Sequence, residues 1–374
     1  MDASSEMVHS LLPIFMASVL GASMMTIGFV EGFAEAAAAV TKMFSGAISD
    51  YFRVRKFLIV IGYGLAALTK PVFPLANSIS WVFAARFVDR IGKGIRGAPR
   101  DALVADITPA DLRGAAYGLR QALDSVGAFV GPLLALLFMS ALGNDIKAVL
   151  WVAVVPALIS VTLLILGVHE PEPSQAGLVA DERPTFAGAL GLPVHFWLLV
   201  VLGSLFTLAR FSQAFLVLRA QDLGLALGYI PVVLIVMNII YAVAADPAGI
   251  AADHLSRRML LIVGLLPLLA ADVLLAQATT GVQALIGVAF WGLHLGLSEG
   301  LLSKLVADIA PAALRATAFG IFNLVNGLAL LLASVMAGAL WSAFGAAATF
   351  AVGAACAGVT IVGLLSYVPG PQPD

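Results

Sequence analysis

The sequence predicts an all-α membrane protein, with twelve transmembrane helices arranged as two pseudo-symmetric six-helix bundles. Three observations carry this. The 374 residues are 61% hydrophobic and 11% charged, with a mean hydropathy of +1.02, against about 45–50% apolar and about 25% charged in a soluble domain. Apolar runs near the spanning length of about 20 residues recur along the whole chain. The chain also repeats itself, because LVADI stands at Leu103–Ile107 and again at Leu305–Ile309.

In order, the runs lie near 8–21, 24–48, 57–76, 79–95, 115–140, 148–167, 193–218, 228–250, 259–278, 281–303, 316–340 and 346–367, six in each half. Hydrocarbon offers no water to backbone polar groups, so a span is a helix or a strand of a closed barrel, and long unalternated apolar runs exclude the barrel. The first run is unusual, since Asp2 and Glu6 stand where other spans are already deep in the membrane. Either this helix dips its acidic end into a watery cavity, or the natural start lies upstream. No basic region precedes the run, as a secretory signal peptide requires. In the fifth run Gly127 and Gly131 let a neighbouring backbone approach. Pro132, lacking an N–H, frees the carbonyl of Ala128 and lets the helix bend. The seventh run carries Thr207, Arg210 and Gln213 as a polar stripe at helical spacing.

The flanks of LVADI match as well, with Pro109 over Pro311, Arg113 over Arg315 and Gly118 over Gly320. A second echo at nearly the same spacing sets GAISDYFRVRK against GIAADHLSRRM, pairing Asp50 with Asp253 and Arg55 with Arg258. Two matches at one offset mean a duplicated half. Each LVADI is expected to lead into a helix start, with Thr108 as cap, Pro109 at the first position and Asp111 three residues past the cap. The domain reading is 1–167 for the first bundle, 168–192 for a polar, Pro-bearing linker and 193–374 for the second bundle.

Lys and Arg in short loops orient the chain. Arg53, Arg55, Lys56, Lys93, Arg96, Arg100, Arg113, Arg257, Arg258, Lys304 and Arg315 fall on one side, with little beyond Lys147 and Arg219 on the other. The first side is therefore cytoplasmic. Twelve spans then place both termini and the linker there.

With these residues in view, the chain resembles the major facilitator superfamily of secondary transporters over essentially its whole length. The family's loop after the second helix is matched by Gly46, Asp50, Arg55 and Lys56, and after the eighth by Gly249, Asp253 and Arg258; Tyr51, Arg53, His254 and Ser256 depart from it. Arg86 matches an arginine of the fourth helix, although Asp89 and Arg90 stand where Gln and Gly are usual. Gly127, Gly131 and Pro132 match part of an antiporter pattern in the fifth helix, which here ends in Ala135 and Leu136. The stretch Arg86 to Asp106 looks like that of bacterial efflux-type permeases. The resemblance implies two halves rocking around a midplane site. It also implies a cytoplasmic clasp in which Asp50 faces the eleventh helix and Asp253 the fifth.

Ionisable residues inside spans cost at least about 2.5–3.5 kcal/mol each unless they face a cavity or a partner. Here they are Glu31, Glu35, Lys42, Lys70, Arg86, Asp89, Arg90, Arg120, Asp124, Arg210, Asp246, Asp272 and Glu299. Glu31 and Glu35 share one helix face. Two readings stand open: one carries a proton, or Glu35 is a permanent partner of Arg86 or Arg120. Asp124 is the third proton-coupling candidate, with an intrahelical pair to Arg120 as the alternative. Arg86, Arg120, Arg210, Gln213 and Glu299 are the substrate-cavity candidates, Arg210 alternatively pairing with Asp246 or Glu299. Asp272, on the ninth helix, reads as structural.

Other classes find no support. The net charge of −2 and the absence of a long basic tract give no nucleic-acid signal. Cys356 is the single cysteine, and no histidine pairs at ligand spacing, so neither a disulfide framework nor a metal site is expected. Gly92, Gly94 and Gly97 lack the strand and spacing of a phosphate loop. No nucleophile–base constellation suggests an enzyme, and no cofactor is implied. The expected activity is proton-coupled export of a small molecule by a monomer. The alternatives are a facilitator or symporter of a polar solute, or a non-transporting receptor or scaffold of the same fold.

Overall fold

The computed structural model describes residues 1–52, 55–109, 112–168, 192–251, 257–309 and 314–366. Among these every regular element is helical. The first half comprises α1 (Asp2–Ile14, continued by a π-helical turn Phe15–Val19), α2 (Met24–Phe52), α3 (Arg55–Thr69), α4 (Ile79–Ile107), α5 (Arg113–Ala141) and α6, formed by Ile146–Val152 and Val154–Gly167. The second comprises α7, formed by Val194–Leu208 and Ala214–Asp222, then α8 (Val232–Ala251), α9 (Arg257–Gln277), α10 (Gly281–Ile309), α11 (Arg315–Phe344) and α12 (Ala346–Ser366).

Eight of these helices are long and apolar enough to cross a membrane, and α7 and α9 contain shorter apolar segments. Of the two left over, α1 is short and carries Asp2 and Glu6, and α4 carries more charged residues than any other helix. Their polarity is tolerated because their side chains meet each other rather than lipid, as Arg86 with His9 and Arg96 with Asp2 show.

The internal repeat is visible in the packing. Helix α2 packs on α4, α3 on α4, α3 on α6 and α1 on α5, and adding six to each number yields the pairs α8 on α10, α9 on α10, α9 on α12 and α7 on α11. The halves then meet crosswise, α2 against α11 and α5 against α8. Glycines set the first of these crossings. A Cβ on Gly32 would stand 3.0 Å from the backbone of Leu331, and Gly28 and Gly338 similarly admit the backbones of Ser334 and Met24. Within the first half, Gly94 accepts Thr41 of α2 and Gly92 accepts Gly62 of α3, so the GKG segment is a packing surface. Gly127 and Gly131 lie against Asp2, Ala3 and Glu6 of α1 in the same way.

Three sequence expectations change. The first span begins at Asp2 and ends where Gly21 takes φ +66°, so the acidic end of α1 lies inside the bundle. Helix α4 does not stop near 95 but runs on through LVADI to Ile107, which makes Lys93, Arg96 and Arg100 helical rather than loop residues. It stops there because Thr108, extended at ψ 129°, precedes Pro109, which disfavours helical backbone before it. Thr108 is thus not the cap of the next helix; α5 starts at Arg113 behind Leu112, which makes no side-chain capping bond. Third, α7 is interrupted between Leu208 and Ala214. Non-helical backbone at membrane depth needs partners, and Ser212 N–H finds one in Ser334 Oγ of α11 at 3.2 Å.

Candidate transport cavity

The face of α4 defined by Arg86, Arg90, Lys93 and Arg100 follows helical spacing, with Asp89 and Arg96 alongside it. Nearly every charge on it meets a counter-charge from a different helix. Arg86 donates to Glu31 Oε2 at 2.8 Å, the two side chains being 1% and 0% exposed, and lies 2.7 Å from His9 Nδ1. One turn on, Arg90 stands 3.2 Å from Glu35. Asp89 accepts from Lys70 of the α3–α4 connection at 2.8 Å, and Lys70 also reaches Ser5 at 3.1 Å. Arg96 lies 3.7 Å from Asp2 and its guanidinium sits over the Tyr63 ring at 4.5 Å. Arg100 and Arg120 converge on Asp124, at 3.3 and 2.8 Å. The result is a ladder of ion pairs joining α1 to α5 through α4.

Glu31 and Glu35 therefore do not form an isolated carboxylate pair; each has its own guanidinium. The partner of Glu35 is Arg90, not Arg86 or Arg120. The intrahelical Arg120–Asp124 pair exists, with Arg100 joining from α4. Glu31 Oε1 has no hydrogen-bond partner although it is buried.

In the second half Thr207 donates to the Gly203 carbonyl and meets Asn326 of α11, each at 2.8 Å. The break in α7 separates Gln213 from the helical stripe expected with Thr207 and Arg210. Arg210 has no ion pair among the described residues, so the alternative bridge to Asp246 is not made. Phe211, in the break, is anchored against Phe215, Trp291 and Phe350. His294 is buried with Nδ1 2.7 Å from the Gly264 carbonyl and its ring against Phe206. Asp272 is fully buried beside Gly353, neither carboxylate oxygen having a hydrogen-bond partner. Arg55 pairs with Asp106, and Lys56 donates to the Ile165 carbonyl at 3.2 Å. The side chains of Gly46, Asp50, Gly249, Arg258 and Glu299, and all of Asp253, lie outside the described residues.

Between the halves lies a cavity of about 290 Å³, lined by Lys93, Gln121, Asp124, Ser125, Ala128, Gln213, Asn238, Tyr241 and Leu295. Its roof is a bond foreseeable in part. The Ala128 carbonyl freed by Pro132 accepts from Asn238 Nδ2 of α8 at 2.8 Å, so a proline in one half creates a hydrogen bond to the other. Beyond that bond the halves touch again through Gln221 with Ser18, Gly228 with Asn144 and Met25 with Ser342. Toward the end where α4 finishes in LVADI the halves also touch, Gly327 and Gly320 of α11 lying against Ala39 and Met43 of α2, and the lining residues of α5 and α8 lie on that side of the Asn238–Ala128 bond.

Sequence reasoning missed Lys93, His9, Asn238 and Tyr241. A signal existed for two of them. Asp2, Glu6 and His9 share a face of α1, and Lys93 continues the Arg86–Arg90 stripe; Asn238 and Tyr241 lie in an apolar run with nothing to mark them.

A family model, the Major Facilitator Superfamily, matches residues 1–218 and 199–374. The chain belongs to that superfamily. It is 33% identical over 349 residues to an uncharacterized MFS-type transporter of Methanocaldococcus jannaschii, covering 91% of this chain and 85% of the relative. Over 193 residues it is 27% identical to Multidrug resistance protein 1 of Bacillus subtilis, half of this chain and 49% of that one. The solved nucleoside transporter NupG superposes with a TM-score of 0.82 at 13% identity, covering 97% and 96% of the two chains. A D-xylose-proton symporter reaches 0.71 at 19%, covering 98% and 93%. Twelve transmembrane helices in two related bundles are thus the architecture of this chain, a multi-pass membrane transporter, and its family is one of transporters rather than enzymes.

Proposed function

We propose that the chain is a proton-coupled exporter of a small molecule, working as a monomer by alternating access of the cavity between its two halves. The observation that carries this is the state of Glu31. One oxygen holds Arg86 and the other, buried, has no hydrogen-bond partner. A proton delivered to that carboxylate removes the charge holding Arg86, and His9 Nδ1, 2.7 Å from the same guanidinium nitrogen, is placed to receive it. Glu35, whose side chain is 29% exposed, is the adjacent rung of the ladder. Buried charges whose pairing changes with one proton are what coupling requires.

The basic loops set the proposed orientation, with both termini in the cytoplasm of a bacterial inner membrane. In that orientation the cavity lies on the cytoplasmic side of the Asn238–Ala128 bond. Gly46, Asp50, Arg55 and Lys56, with Gly249, Asp253 and Arg258, form the proposed cytoplasmic gate.

The test is purified protein in liposomes under an imposed pH gradient. Glu31→Gln or Glu35→Gln is expected to abolish gradient-driven movement of a substrate while sparing its exchange across the membrane, since exchange needs no net change in protonation. Full gradient-driven transport in both variants would move the coupling elsewhere, with Asp124 next. Downhill flux indifferent to pH in the unaltered protein favours the facilitator reading instead.

A further inference from the structure

We propose that the cavity between the halves binds a small anion, with the ammonium of Lys93 as its charged contact. This rests on the transport reading and names its substrate class. Charge matching along α4 is the first argument. Arg86, Arg90, Arg96 and Arg100 each have a carboxylate within 4 Å, from Glu31, Glu35, Asp2 and Asp124. Lys93 has none among the described residues, and it is the α4 residue that opens onto the cavity. The charges that act on it from beyond contact distance are Arg90 and Arg96 on its own helix, Glu35 of α2 and Glu6 of α1. Two cations and two carboxylates leave its own charge uncompensated.

The rest of the wall points the same way. Among the described residues one carboxylate lines the cavity, Asp124, and it is already shared between two guanidinium groups. An organic cation entering here would therefore meet, among the described residues, an unpaired ammonium and no carboxylate without a guanidinium of its own. Gln121, Ser125, Gln213 and Asn238 are neutral and carry donors and acceptors for the remainder of a polar ligand. A cation in a membrane-embedded site without a protein partner costs several kcal/mol unless water or a ligand supplies one; an anionic substrate supplies it in each cycle. The volume lies at the lower end of the roughly 300–1,000 Å³ of ligand sites, which fits a metabolite rather than a large drug. Carboxylate and monophosphate groups both satisfy these conditions.

Detergent-purified protein, scanned for thermal stabilisation, tests this without any gradient. Its outcome is therefore independent of whether Glu31 and Glu35 couple protons. The probes are a monocarboxylate arm (lactate, gluconate), a monophosphate arm (glycerol phosphate, ribose phosphate), a cationic arm (tetraphenylphosphonium, ethidium) and a neutral arm (xylose, uridine). At least one anionic arm is expected to raise Tm in the unaltered protein and in Lys93→Arg. In Lys93→Gln its affinity is expected to fall by about tenfold or more, the loss of one charge-assisted hydrogen bond. Three results overturn the proposal: a shift from the cationic arm with none from either anionic arm, an anion shift of equal size in Lys93→Gln, or no response to any anion. Which anionic arm responds decides between carboxylate and phosphate.

Discussion

Arg86 is one of the largest fully buried side chains, and its hydrogen-bond partners are one carboxylate, Glu31, and one imidazole, His9. A buried ion pair adds little net stability over an apolar pair of similar shape, yet removing one partner strands the other, at a cost of about 3–5 kcal/mol. Arg86→Leu is therefore expected to lower stability by that amount, and Glu31→Leu by a similar amount. The double variant is expected to recover most of the loss in thermal unfolding of the detergent-solubilised protein. Additive losses would mean that the two side chains act separately. The same logic explains what was legible at this scale. Each acid and each base of the ladder is apparent as a charge within an apolar run, but which acid meets which base is not. Glu31 and Glu35, four residues apart, look like partners in a shared site until α4 sends one guanidinium to each.

At the scale of the element, the informative link runs from Pro132 to Asn238. A proline removes the amide that would have bonded the carbonyl four residues back. The freed Ala128 carbonyl takes Asn238 of α8, tying the two halves together above the cavity. Asn238→Leu leaves that carbonyl without a donor and is expected to cost about 1–3 kcal/mol. In a Pro132→Ala background the same change is expected to cost much less, because the amide of residue 132 then satisfies the carbonyl within α5. Equal costs in both backgrounds, measured by chemical or thermal unfolding, would show that the link is incidental. Helix ends were less legible than helix existence. The hydropathy of α4 fades after 95 because its charges face other helices, not because the helix stops, so a criterion built on lipid exposure ends it a dozen residues early. The break in α7 has no proline or glycine within it to announce it; the bond from Ser212 to Ser334 comes from a helix more than a hundred residues away.

For the whole molecule, the duplicated halves meet crosswise through α2 with α11 and α5 with α8, the contacts about which the proposed alternating access would turn, and the repeat LVADI closes α4 and α10 at the end that bears the basic residues. In the proposed gate, Asp50 toward the positive N-terminus of α11 and Asp253 toward that of α5 would each be worth about 0.3–1 kcal/mol when exposed and up to about 2 when partly buried. A clasp of that size shifts a balanced equilibrium several-fold. Asp50→Asn is expected to favour the conformation open at the basic end. In a Cys356→Ala background, cysteines placed at Gln121 and Ser125 should then react faster with a membrane-impermeant thiol reagent added from the cytoplasmic face. Unchanged or slower labelling removes the clasp, and labelling only from the opposite face reverses the orientation.

Composition, apolar run length and the internal repeat were enough to determine an all-helical membrane protein of two six-helix halves. These properties are local or periodic, and hydrocarbon permits few ways to satisfy a backbone. They also located the buried charges, since a charge in an apolar run is conspicuous on its own. Only the tertiary structure decided which charges cancel and which remain. Pairing depends on which helix faces which, and that is set by close backbone approach at glycines such as Gly28, Gly94 and Gly131, long-range in sequence and invisible to any window read along the chain. Lys93, counted with the loops by its neighbours in sequence, is left by that packing as the unmatched cation of the cavity wall.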